Sequence, residues 1–174
     1  VLALVAVGVF AAGPAQYRRR AVTAVIVGAV ALHFATPLGV PKPDIDVWRW
    51  TQACIRALLQ WVHPYTVQAA DVVEGTAQLQ ATATVYPYMP LTLLAFAPGL
   101  LLFGDYRVVS ALSVAVTVAL NRLIGARLGL DRRFADAVTL AFLLHPRGVF
   151  ITSNGWSEAL LVPVASGFVY LAVR

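Results

Sequence analysis

Charge is scarce in this sequence: Asp, Glu, Lys and Arg together make up 12% of it, about half the usual share of a soluble domain. A chain that is 60% hydrophobic, with a mean hydropathy of +0.77, cannot cover itself with a water-facing surface, so it reads as an integral membrane protein. Its single cysteine, Cys54, excludes an internal disulfide and any CxxC or Cys/His zinc spacing. No dense Asp/Glu/His cluster offers ligands for a metal, and no cofactor is expected. Lysine is rarer than arginine, one against twelve, a compositional hint of a GC-rich bacterial genome. The net charge of +5 would suggest nucleic acid in a soluble protein. Here the basic residues lie between apolar runs, where membrane topology accounts for them, and no nucleic-acid partner is expected.

What is abundant is apolar sequence in runs: Val1 to Ala12, Ala21 to Val40, Pro90 to Phe103, Val108 to about Ile124, Phe134 to about Ile151, and Ala159 to Val173. Pro and Gly punctuate their ends, as at helix boundaries. The only long polar stretch runs from Pro41 to Tyr88, and its piece "GTAQLQATATV" reads as a loop. An apolar run already under way at Val1 gives the expectation of a fragment of a larger module, residues 1–174 forming one transmembrane domain. The expected fold class is all-α: a polytopic transmembrane helical bundle with a large extracytoplasmic loop, about residues 41–107, carrying two juxtamembrane amphipathic helices.

The run Pro90 to Phe103 decides the topology. A bilayer span needs ~20 residues, whereas 10 to 14 suit a re-entrant or interfacial segment. If this run crossed, the Arg-rich turn "NRLIGARLGLDRR" would face outward, against the positive-inside tendency. If it lies at the outer interface, Arg122, Arg127, Arg132 and Arg133 become cytoplasmic. Eight arginines then face two aspartates inside, while five basic residues face six carboxylates outside. Most of the carboxylates thereby gather on one side.

The outer loop opens "PKPDIDVWRWTQACIRALLQWVHPY". On a helix from Asp46, the residues Val47, Trp50, Cys54, Leu58 and Trp61 recur every three or four positions, opposite a polar stripe of Arg49, Gln52, Arg56 and Gln60. Such a helix lies at the headgroup level beside membrane lipid. Asp44 and Asp46 stand at its start. As a cap, either would be stabilised by the helix dipole. As a base, either could take a proton from an acceptor hydroxyl at the membrane surface.

The series "DIDVW", "ACIRALLQWVHPY", "YPYMPLTLLAFAPGLLLFGDYRVVSAL", "RLIGARLGLDRR" and "LLHPRGVFITSNGWSEALLVPVASGFVYLAVR" resembles the GT-C superfamily of integral membrane glycosyltransferases. The enzymes it resembles are polyprenyl-phosphate-sugar dependent and mannosyltransferase-like. The resemblance implies an acidic catalytic residue near the start of the first outer loop, which Asp46 matches best and Asp44 next. Ile45 separates the two where several relatives carry adjacent acids. It also implies a polyprenyl-phosphate sugar donor, a glycan, lipid or protein acceptor, inverting transfer at the extracytoplasmic face, and a multi-pass place in a bacterial plasma membrane.

The remaining candidates are substrate contacts. Arg107 reads either as a snorkelling anchor or as a cation meeting the donor phosphate, and Arg49 joins it from the polar stripe. Glu158 either caps the helix from Ala159 or meets a sugar hydroxyl. Tyr86, Tyr88 and Trp156 are interfacial-belt aromatics or stacking faces for a sugar. Pro146, in His145-Pro146-Arg147, is expected to kink its helix. Two rivals stand beside the enzyme reading. A membrane transporter would place charged groups within its spans, and a non-catalytic scaffold subunit would need no clustered outer carboxylates.

Overall fold

The protein is described from a computed structural model, covering residues 15–43, 45–68, 72 and 86–173. Val1 to Ala12, Asp44 and the Gly75 to Val85 piece lie outside the described residues. Among the described residues the fold is all-helical. Seven α-helices follow one another: α1 Ala15–Gly39, α2 Asp46–Leu59, α3 Pro90–Phe103, α4 Arg107–Arg127, α5 Arg132–Leu143, α6 Pro146–Asn154 and α7 Glu158–Ala172, with a 3₁₀ turn at Pro64–Thr66.

Two helices are long and apolar enough to cross a membrane: the Arg19–Gly39 part of α1 and α4, each 21 residues, or about 32 Å at 1.5 Å per residue. The run from Phe134 to Ile151 is not one helix. It divides into α5 and α6, bent by 49°, because Pro146 starts the second piece and His145 before it is extended, as the residue preceding a proline prefers. The pair counts as a third span if taken together. At 14 and 15 residues, α3 and α7 fall short of a span by themselves.

Packing follows the periodicity of α1. Val22, Ile26, Ala29 and His33 are buried at spacings of three and four, and the first three pack on Val114 and Val118 of α4 and Leu140 and Leu143 of α5. His33 Nδ1 is hydrogen-bonded to Thr152 Oγ1 of α6 at 2.9 Å. The outward residues Val27, Leu32 and Leu38 are exposed, as a lipid-facing surface requires. Close approach of α4 and α5 rests on Gly125, where a Cβ would meet the Ala135 methyl at 3.1 Å.

These helices have two distinct ends. At one, the carbonyls of Val40 and Ser153 meet the first residue of α4, so α1, α6 and the start of α4 converge beneath α2 and α3. At the other, Arg122 meets Asp136, and Arg127 donates to the carbonyls of Tyr170 and Val173 at the end of α7. The helices therefore alternate between an arginine-rich end and a loop end.

The loop-end helices depart from expectation in two ways. The first is α2, which stops at Leu59; Trp61 lies beyond it with φ 60° and is 97% exposed, so it is no part of the buried stripe. Gln52, assigned to the polar stripe, is buried. The second is α3, which is not amphipathic. Leu93, Phe96, Ala97 and Leu100 are buried while Leu91, Leu94, Leu101, Leu102 and Phe103 are exposed, so both faces are apolar and only neighbours decide which is covered.

Candidate functional site

Two short motifs that are distant in sequence meet at the loop end. The turn at His63, Pro64 and Tyr65 packs on Tyr86 and Tyr88. Tyr65 donates its hydroxyl to the Tyr88 carbonyl at 2.6 Å, and rings run from His63 through Tyr65 and Tyr86 to Tyr88 at centroid separations of 5.6, 6.1 and 5.4 Å. Beneath them Trp50, Cys54, Ile55, Leu93, Phe96 and Tyr106 form one core. Cys54 Sγ donates to the Pro64 carbonyl at 3.3 Å, and burial pushes its thiol up to about 11. Tyr86 is part of this core, 2% exposed, with burial first among the causes that raise its hydroxyl. It supports the wall and offers no ring face to a ligand.

Arg107 is likewise internal, with no exposed side-chain surface. Its Nε donates to both oxygens of Asp105 at 3.0 and 2.9 Å, and Nη2 completes the ion pair. Nη1 donates to the carbonyls of Val40 and Ser153, each at 2.7 Å, and Nη2 reaches the Pro41 carbonyl at 3.3 Å. Trp48 covers the guanidinium at 5.7 Å. All five N–H donors of a guanidinium are thus directed at protein acceptors. This corrects both sequence readings of Arg107: it neither snorkels nor presents itself to a phosphate, because every donor is used in binding α1, α4 and α6 together.

Tyr88 is half-buried beside Tyr65 and Tyr86. Its hydroxyl is held above the ordinary tyrosine range, by burial first and then by the charges of Glu158 and Asp46. Asp46 is half-buried, and its Oδ1 accepts from the Val47 amide at 2.7 Å. It does not stand at the N-cap. Ile45 does, with no side-chain cap bond, and the Asp46 carboxylate lies one position on, in the first turn. Glu158 is exposed at the start of α7. The Tyr88 hydroxyl stays protonated near neutral pH.

Glu158 follows a turn and is not a cap: Ser157 holds the N-cap position of α7. Gly155 closes α6 with φ +69°, a conformation glycine adopts at little cost, and Tyr106 donates its hydroxyl to the Gly155 carbonyl at 2.9 Å. Trp156, next in the turn, packs edge-on against Phe150 at 5.7 Å. The buried Trp156 Nε1 finds no hydrogen-bond partner among the described residues, and neither does Trp48 Nε1. Arg49 lies half-buried on α2, three residues beyond Asp46.

The structure leaves Asp46, Tyr88 and Glu158 at least partly accessible, buries Tyr86 and Arg107 as internal support, and leaves Asp44 outside the described residues. Among those residues no group of three His, Cys, Asp or Glu side chains is placed to hold a metal ion. Sequence reasoning missed Asp105, Tyr106 and Trp48 as organisers. Only Asp105 had a local signal, two residues before an arginine at a helix start. No protein-family model, no curated protein and no solved structure matches the chain.

Proposed function

We propose that the chain is the base-bearing part of a polytopic membrane glycosyltransferase. It moves a sugar from a polyprenyl-phosphate donor to an acceptor hydroxyl at the extracytoplasmic face of a bacterial plasma membrane. The observation that carries this reading is the half-buried Asp46 carboxylate in the first turn of α2, beside Trp48 at the end of the apolar helices where the donor's lipid and the aqueous acceptor would meet. In the reaction the Asp46 carboxylate takes the acceptor hydroxyl proton as the oxygen bonds to the anomeric carbon, and the carbon–oxygen bond to phosphate breaks with inversion. Tyr88 donates a hydrogen bond to a sugar oxygen, Glu158 accepts one from a sugar hydroxyl, and Arg49 stands on the helix of Asp46 to meet the leaving phosphate. Base catalysis of this kind contributes typically ~10² to 10⁴-fold.

The test is transfer of radiolabelled sugar from a panel of polyprenyl-phosphate donors by the intact protein. Asp46→Asn should lower the rate by at least ~10²-fold with normal membrane insertion. Asparagine keeps the capability to accept the Val47 amide while losing the proton acceptor. Near-normal turnover in Asp46→Asn with collapse in Asp44→Asn moves the base to Asp44. Near-normal turnover in both, and in the double variant, defeats the mechanism.

A further inference from the structure

At the arginine-rich end, away from Asp46 and Glu158, a cavity of about 560 Å³ opens between α1, α4 and α5, lined among others by Thr23, Arg122, Gly125, Arg132, Ala135 and Asp136. Arg122 Nη2 donates to Asp136 Oδ1 at 2.8 Å, and Arg132 Nε lies 3.9 Å from Asp136 Oδ2. The carboxylate is 10% exposed, the two arginine side chains 31% and 58%. Two guanidinium groups thus share one buried acid, leaving one positive charge in excess and most of their N–H donors without a protein acceptor among the described residues. Arg19 and Arg20 of α1 lie about one turn before Thr23 and add to the positive field. Beside this cavity, and sharing Gly125, Leu130 and Ala135 with it, a smaller one of about 160 Å³ is lined by Ile124, Phe134 and Val138. Leu128, Leu130 and Phe134 are exposed around it.

A cavity with surplus arginine donors on a partly apolar lining, set against an apolar groove at the end of membrane-length helices, matches an amphipathic anion. We propose that the cavity binds the phosphate-bearing head group of an anionic phospholipid, whose acyl chains lie along the apolar α4–α5 face. The volume falls within the range of small-molecule sites, ~300–1,000 Å³. Arginine forks suit phosphodiester oxygens, and basic pockets between transmembrane helices on the cytoplasmic side bind such head groups. The apolar groove beside the arginines favours a lipid over a free phosphate ion. Asp136 limits the affinity, because it occupies guanidinium donors that a phosphate would otherwise use.

The intact protein in nanodiscs, without any glycosyl donor, supplies the test, so its result is separate from that of the transfer assay. Phosphatidylglycerol should be retained through detergent extraction and native mass spectrometry, and should raise the melting temperature, where phosphatidylcholine does neither. Arg132→Gln, at a largely exposed position, should weaken phosphatidylglycerol retention at least fivefold while the lipid-free melting temperature stays near that of the parent. Asp136→Asn should strengthen retention, a direction that a merely structural Asp136 would not produce; if that variant does not fold, Arg132→Glu should abolish retention. Equal retention of both lipids, or unchanged retention in the Arg132 variants, overturns the proposal. Inorganic phosphate alone reproducing the full stabilisation overturns the lipid assignment in favour of a free-anion site.

Discussion

At the scale of single residues, Arg107 shows how position in a sequence and role in a fold can part. A lone arginine opening a membrane helix has two local readings, anchor or phosphate contact, and both depend on its reaching outward. Its actual partners are carbonyls 67 and 46 positions away, at Val40 and Ser153, and no local pattern announces them. The consequence is energetic. Removing one member of a buried ion pair leaves the other charge uncompensated, at a cost of about 3–5 kcal/mol. Arg107→Met should therefore unfold several degrees lower than the parent in a detergent melt followed by tryptophan fluorescence, or fail to accumulate. Arg107→Lys keeps the charge but loses the planar fork, and should fall between the two. A melt of Arg107→Met indistinguishable from the parent would show that the clamp contributes nothing. Asp46, in contrast, was legible, since its place before a helical apolar stripe already put it at the start of α2.

At the scale of elements, the helices that the sequence made legible are those whose pattern is local. Residues spaced by three and four give α2, unbroken apolar length gives α1 and α4, and Pro146 gives the break between α5 and α6. The burial of α3 was not legible because "PLTLLAFAPGLLLF" carries no polar stripe, so which side is covered depends on α2 and α4 rather than on its own sequence. The α6–α7 turn was half legible: Asn154-Gly155 marks a turn, but nothing local says that Tyr106 bonds to it. A Cβ at Gly155 would fall on the Tyr106 phenol as well as in a left-handed backbone, itself costing roughly 1–2 kcal/mol. Gly155→Ala is expected to lose more stability than that strain alone. Gly28→Ala, where nothing lies within 4 Å of the added carbon, should be neutral or stabilising, since alanine outranks glycine in helices by about 1 kcal/mol. Equal melting temperatures for the two variants would contradict the packing described for that turn.

At the scale of the whole molecule, the alternation of helix ends gives charge a direction. Arg122, Arg127, Arg132 and Arg133 lie at one end with Arg19 and Arg20, while Asp46, Asp105 and Glu158 lie at the other. Because α3 and α4 meet through Gly99, where a Cβ would lie 2.8 Å from Val109 Cγ2, the short helix is held beside the start of α4 instead of running away from it. Placed in a membrane, this arrangement orients the arginine-rich end inward, and the two ends must then label from opposite sides. Single cysteines at Met89 and Leu128, both exposed at 77% and 52%, report on the loop end and the arginine-rich end. Native Cys54 serves as a silent background, since it is fully buried and its thiol, raised from 9.0 to about 11 by burial, carries almost no thiolate near pH 7. In sealed, right-side-out vesicles a membrane-impermeant maleimide should modify position 89 directly and position 128 only after permeabilisation. Labelling of both from one side would mean that α4 does not cross, and would place the Asp46 carboxylate and the arginine-lined cavity on the same face of the membrane. The reverse pattern would leave the alternation intact but turn it over, placing the Asp46 carboxylate on the cytoplasmic side.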